Sequence, residues 1–95
     1  MYNVQFSNKA RRYFNKLKDK KLKEKFKILI YDEIAIDPVI IGEKKKGKIE
    51  NFYATGFNYK GCTYRVAYEV IETSIILILL VGAHENFYEK LERVY

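Results

Sequence analysis

The chain has 95 residues and 11.3 kDa; 48% of residues are hydrophobic, 32% are charged, and the net charge is +6 with a pI near 9.4. These figures describe one globular domain, residues 1–95, with an adequate but shallow core. They exclude a second domain, a large enclosed cofactor cavity, a disordered chain and, with five Gly and one Pro, a collagen-like or linker-rich one. The lone Cys62 and lone His84 exclude an internal disulfide and the usual Cys/His zinc site. No apolar signal core opens the sequence. The longest apolar run, residues 75–81, is far short of the ~20 that a membrane helix needs, so a soluble, cytoplasmic protein without membrane partners is expected.

The charge is uneven. Residues 1–48 hold 14 basic and 6 acidic residues, net +8, whereas residues 49–95 hold 4 and 6, net −2. A basic half points to a polyanionic partner; the alternative is a solvated, lysine-rich helix face.

In chain order, Tyr2-Asn3-Val4-Gln5-Phe6 alternates as a half-buried strand does. Ser7 then caps a helix whose inner stripe is Ala10, Tyr13, Phe14 and Leu17, and whose outer face carries Arg11 and Arg12. Asp19 is placed to cap a second helix, with Leu22, Phe26, Leu29, Ile30 and Ile34 as its stripe. Asp37-Pro38 ends it. The two helices should form an antiparallel hairpin. After Val39-Ile40-Ile41-Gly42, the segment Glu43-Lys44-Lys45-Lys46-Gly47-Lys48 reads as a flexible basic loop.

Residues 49–57 and 62–71 read as strands joined by a turn at Asn58-Tyr59-Lys60-Gly61. In the second of these, Cys62, Tyr64, Val66, Tyr68 and Val70 share one face, and Thr63, Arg65, Ala67 and Glu69 the other. Residues 75–81 do not alternate and read as a strand buried on both faces, central in the sheet. Phe87, Leu91 and Val94 space as a short C-terminal helix. The fold class is α+β: an N-terminal strand, an α-helical hairpin, then a three-stranded antiparallel meander completing one sheet, and the final helix.

No glycine-rich phosphate cradle is present, no carboxylate pair has metal-site spacing, and Ser7 and Ser74 lack a nearby His. Three side chains remain. Arg65 is a cation in mid-strand; it binds an anion or snorkels from a solvated face. His84 is the residue best suited to proton transfer near neutral pH, unless it is an ordinary strand-end histidine. Tyr88 lies one helical turn beyond it, for chemistry or for packing the last helix. Phe57 and Tyr59, at the turn, offer platforms for unstacked bases, with other aromatics of the region in the core.

Lys46-Gly47-Lys48, then Tyr64-Arg65-Val66-Ala67-Tyr68-Glu69-Val70, then Val81-Gly82-Ala83-His84-Glu85-Asn86-Phe87-Tyr88 together resemble the RelE/ParE superfamily of bacterial toxins. The resemblance covers nearly the whole chain and rests on the order and spacing of the segments. It implies the toxin of a type II toxin-antitoxin system, partnered by a cognate antitoxin. RelE-like and YoeB-like members cleave mRNA on the ribosome; ParE-like members inhibit DNA gyrase. By position, Arg65 matches the strand arginine that stabilises the scissile phosphate, His84 the Arg or His at the end of the last strand, and Tyr88 a C-terminal tyrosine. Glu43 is placed like the YoeB-like carboxylate base. RelE-like members carry two lysines where this chain has Ala54 and Gly56, and the turn that follows reads as longer; Lys46, Lys48 and Lys60 are the cations left to substitute.

Three functions follow: a metal-free, ribosome-dependent mRNA endoribonuclease with no cofactor, a gyrase inhibitor, and a non-catalytic RNA-binding module on the same fold. For the first, Arg65, His84, Tyr88 and Glu43 are the catalytic candidates. Lys44, Lys45, Lys46, Lys48, Lys60, Arg11 and Arg12 are the RNA-binding ones. Arg65 and His84 are expected within ~10 Å of each other on a concave basic surface, since neighbouring strands lie ~4.8 Å apart.

Overall fold

The structure, a computed structural model of the chain, describes residues 1–45, 52–72 and 74–83. The elements are β1 (Asn3–Phe6), α1 (Asn8–Lys16), α2 (Lys20–Lys27), a π-helical segment (Ile28–Ile34), α3 (Pro38–Ile41), β2 (Glu43–Lys45), β3 (Phe52–Tyr59), β4 (Cys62–Glu72) and β5 (Ile75–Ala83). One sheet holds all five strands in the order β1-β5-β4-β3-β2. The meander β3-β4-β5 is antiparallel, and β1 returns parallel to β5 with Val4 opposite Ile76. The expected strand, helical hairpin and meander are all there. The expected C-terminal helix lies outside the described residues.

Both predicted caps form. The Ser7 hydroxyl accepts the Ala10 N–H at 3.1 Å and donates to the Leu79 carbonyl at 2.7 Å, so one side chain starts α1 and fastens it to β5. Asp19 Oδ1 accepts from the Lys21 and Leu22 N–H groups at 3.1 and 3.2 Å. The same carboxylate takes the Tyr59 hydroxyl at 3.1 Å on Oδ2, tying the hairpin end of the sheet to the start of α2. The Leu22 backbone bond leads in holding the Asp19 carboxyl below its ordinary range, with the Tyr59 hydroxyl and Lys60 adding to it.

The second helical stripe runs as expected from Leu22 to Ile34, but after Lys27 the helix widens, and Ala35 N–H bonds the Ile30 carbonyl five residues back at 2.8 Å. Three readings of the next segment are corrected. Pro38 ends one helix but also opens the short α3, where its fixed φ and missing donor are suited to a first turn. Glu43–Lys45 is not loop: it is an edge strand antiparallel to β3, with Glu43 opposite Ala54, Lys44 opposite Tyr53 and Lys45 opposite Phe52. Three charged residues in a row carry no period-2 signal, yet charge on an edge is what discourages further strand pairing. The β3–β4 turn is shorter than expected. It is only Lys60-Gly61, with φ of 49° and 76°, so β3 runs on to Tyr59.

The helices cover one face of the sheet. Phe26, Leu29, Ile30 and Ile34 bury against Val66, Tyr68, Ile76, Ile78 and Val81. A second buried cluster, Phe52, Ala54, Ala67, Leu79 and Leu80, is on the other face. Leu79 and Leu80 share that face because a bulge shifts the register opposite Ala67 and Tyr68. The strand at residues 75–83 is thus internal and buried on both sides, although β4, not β5, is the middle strand.

Tyr68 joins α3 to the sheet. It is fully buried, stacks on Tyr53 at 5.6 Å, and its hydroxyl donates to the Pro38 carbonyl at 2.5 Å. Burial, then Tyr53 and Asp37, push its phenol well above the ordinary range, so it stays a donor. A Cβ on Gly42 would stand 1.9 Å from that hydroxyl, so residue 42 must be glycine for the bond to form. Tyr68→Phe keeps the stack and loses the bond. It is expected to cost about 1 kcal/mol in urea unfolding, because the Pro38 carbonyl retains the Gly42 N–H at 3.3 Å. An unchanged midpoint would count against the bond.

Candidate functional site

Arg65 stands on β4, the middle strand, on the face away from the helices. Its register partners are Gly56 on β3 and Gly82 on β5. The row across three strands therefore reads glycine, arginine, glycine, and the half-buried guanidinium stem is the only side chain in it. The bareness is enforced on one side: a Cβ on Gly56 would lie 2.2 Å from the Tyr64 carbonyl oxygen. A neighbouring row, Ala54, Ala67 and Leu80, is apolar and buried. On the other side the row Asn58–Thr63 is exposed, and the Thr63 hydroxyl donates to Asn58 Oδ1 at 2.8 Å. Gly56, Asn58, Thr63 and Arg65 line an open groove of about 210 Å³. Such a groove gives an anion access to a planar, five-donor cation with no neighbouring side chain of its row in the way.

The other candidates divide. Glu43 stands opposite Ala54, which stands opposite Ala67, two residues from Arg65. Two strand spacings and one two-residue step put the two backbones ~12 Å apart. Lys44 and Lys45 follow on the same edge strand. Lys60 is at the hairpin tip, four residues along the strand from the Arg65 row, ~13 Å, with Nζ 5.3 Å from the Tyr59 ring centre. Arg11 and Arg12 are exposed on α1, on the helix-covered side of the sheet, so the fold does not bring them to Arg65. His84, Tyr88, Lys46 and Lys48 lie outside the described residues. In sequence His84 directly follows Ala83, the last residue of β5 and the register partner of Tyr64.

The base platforms expected at Phe57 and Tyr59 are corrected. Both rings turn to the helix side. Phe57 packs edge-on to Phe26 at 5.0 Å, and Tyr59 is buried with its hydroxyl on Asp19. Strand parity decides this: with β3 extended to Tyr59, odd positions face the helices and the even ones, Gly56 and Asn58, face the groove. Asn58 and Thr63 are groove residues that the sequence reading did not single out. The signal was their pairing, which depends on the exact turn. Burial also raises Tyr13 and Tyr64, so both phenols remain protonated at neutral pH and neither is a base there.

A second groove, about 320 Å³, runs between α1 and the second helix. Phe6, Phe14 and Tyr31 form apolar lining, and Arg11, Lys23 and Lys27 supply three cations. Among the described residues, no helix is long and apolar enough to cross a membrane, and no three His, Cys, Asp or Glu side chains cluster as a metal site would need.

A model of the ParE-like toxins of type II bacterial toxin-antitoxin systems matches residues 4–92. The chain belongs to this family. No curated protein sequence matches it. Among solved structures, the isolated RelE toxin of E. coli is similar over 100% of both chains, with a TM-score of 0.71 and 24% identity. The intact E. coli RelBE toxin-antitoxin complex is similar over 86% of this chain and 95% of that one, at 0.68 and 23%. The RelBE2 toxin-antitoxin complex of Mycobacterium tuberculosis is similar over 87% and 98%, at 0.70 and 21%. These likenesses establish a RelE-like α+β fold for the toxin. They also agree with the sheet and helical hairpin described above.

Proposed function

We propose that this toxin is a ribosome-dependent, metal-free mRNA endoribonuclease neutralised by a cognate antitoxin. The observation that carries the reading is Arg65, set between two glycines in an open groove on the middle strand. A scissile phosphate fits there with its non-bridging oxygens on the guanidinium. The 2′-hydroxyl of the preceding ribose loses its proton and attacks phosphorus. The 5′-oxygen leaves with a proton, giving a 2′,3′-cyclic phosphate and a 5′-hydroxyl end. Arg65 stabilises the charge that grows on the phosphorane. His84 carries a proton, and Tyr88 or Glu43 supplies the complementary acid or base. No step needs a metal.

The basic residues divide by surface. Lys44 and Lys45 on β2 and Lys60 at the hairpin tip serve RNA together with Lys46 and Lys48, and Arg12 serves ribosomal RNA from the helix side. Ribosome binding is therefore steeply salt-dependent. Arg11, with Lys23 and Lys27, rims the apolar helix groove, which suits an amphipathic, acid-bearing antitoxin segment that folds on binding. The toxin-antitoxin complexes of the E. coli and Mycobacterium tuberculosis relatives support that partnership.

Gyrase inhibition is the second reading. Ala54 and Gly56 favour it, since neither offers a cation beside Arg65. Mapping mRNA 5′ ends after brief expression separates the two. Cuts inside translated frames with 5′-hydroxyl ends are expected, with supercoiling by purified gyrase untouched. His84→Gln keeps size and hydrogen bonding and is expected to lower cleavage ~100-fold or more. Gyrase inhibition with intact mRNA would overturn the ribonuclease reading. Full cleavage by His84→Gln would move the proton transfer to Glu43, Tyr88 or a lysine.

A further inference from the structure

The groove at Arg65 does not end at the cation. One row towards the hairpin tip, Asn58 and Thr63 face each other across β3 and β4 and share the groove with Arg65. A row is two residues long, so the pair stands ~7 Å from the Arg65 row, close to one nucleotide away. Both residues are exposed, and they differ from the rest of the meander's outer face in being neutral and polar. Their hydrogen-bonding capacity is only partly used. The Thr63 hydroxyl spends its proton on Asn58 Oδ1, which leaves the Asn58 amide N–H₂ as donor and the Thr63 oxygen as acceptor. A donor and an acceptor side by side, held in register by a hairpin with a two-residue turn, match the edge of an unpaired base better than they match a phosphate. Gly56, opposite Arg65 and two residues before Asn58 on β3, leaves its corner of the groove without a side chain, and the Tyr64 carbonyl excludes any larger residue there.

We propose that the Asn58–Thr63 pair is a base-reading subsite for single-stranded RNA, adjoining the phosphate held by Arg65. The proposal rests on the ribonuclease reading above and adds the element that sets where the chain cuts. A purely structural cross-strand pair would contribute to hairpin stability and leave sequence preference alone. The two roles therefore separate in the distribution of cuts, which does not depend on total activity.

The test is to express the full-length toxin and its variants Asn58→Ala, Thr63→Val and Thr63→Ser briefly, and to sequence the mRNA 5′-hydroxyl ends. Asn58→Ala and Thr63→Val are expected to flatten the base preference at one position beside the scissile bond by ~5-fold or more, the worth of a lost base contact. Thr63→Ser keeps the hydroxyl and is expected to keep the preference. The same distribution in native toxin, Asn58→Ala and Thr63→Val overturns the subsite, as does an equal loss at every site accompanied by a lower melting temperature. Absence of cutting by the native toxin overturns the ribonuclease reading and the subsite together.

Discussion

Arg65→Ala is expected to abolish growth arrest, with cleavage reduced ~100-fold or more, the usual loss when a single preorganised charge donor is removed from a developing oxyanion. The size of the effect follows from the row in which the residue stands. Its register partners are Gly56 and Gly82, so no neighbouring side chain of that row can take over its charge. Glu43 has the wrong sign, and Lys60 is ~13 Å along the hairpin. Arg65→Lys restores the charge without the planar fork and should recover only part of the activity. Gly56→Ala is the companion variant. Its Cβ would press on the Tyr64 carbonyl and push β3 from β4, so it should lose stability as well as toxicity. Co-purification with the antitoxin and circular dichroism check that Arg65→Ala is folded. Unimpaired toxicity of that folded variant would remove the residue from the mechanism.

What could be read from the chain, and what could not, follows from the range of the forces involved. Ser7 and Asp19 were legible because a capping side chain acts within three residues, and both cap as the local pattern requires. Arg65 was legible because a charge among alternating apolar residues marks a face whatever the strand pairs with. The edge strand at Glu43–Lys45 was not, since its pairing to β3 is made across the sheet and charged residues give no alternation. Nor was the bulge at Leu79 and Leu80, because an unbroken apolar run looks the same in either register. Phe57 and Tyr59 read as base platforms only because the turn was placed at Asn58-Tyr59-Lys60-Gly61. A turn begun at Asn58 and one made by Lys60-Gly61 place the side chains at the end of β3 differently, and only the second puts both rings in the core. The need for glycine at position 56 lies in a carbonyl eight residues away, on the neighbouring strand.

Phe26→Ala is expected to cost about 3–5 kcal/mol of stability. Phe26 is completely buried, and its ring makes edge contacts with four others: Phe57 at 5.0 Å, Phe14 at 5.5 Å, Tyr64 at 5.8 Å and Tyr13 at 5.9 Å. Truncation removes the apolar burial, leaves a cavity, and breaks ring pairs worth ~0.5–1.5 kcal/mol each beyond their area. These terms do not add fully, because the neighbouring rings relax into the space. Against a total stability of about 5–15 kcal/mol, the loss is enough to populate the unfolded state in a cell. The urea midpoint should fall by about 2 M, given a slope of ~1–3 kcal/mol per molar for a small domain. Phe26→Leu refills most of the volume and should cost under about 2 kcal/mol. The consequence reaches the groove, since Phe57 and Tyr64 are chain neighbours of Gly56 and Arg65 and hold the inner side of the strands that carry them. Phe26→Ala should therefore reduce toxicity through the amount of folded toxin, and binding of the antitoxin should restore both abundance and protease resistance by mass action. Arg65→Ala should show the opposite pattern, with abundance kept and cleavage lost. A Phe26→Ala protein with a midpoint within about 0.5 M of the native value would mean that the aromatic cluster is not what holds the helices to the sheet.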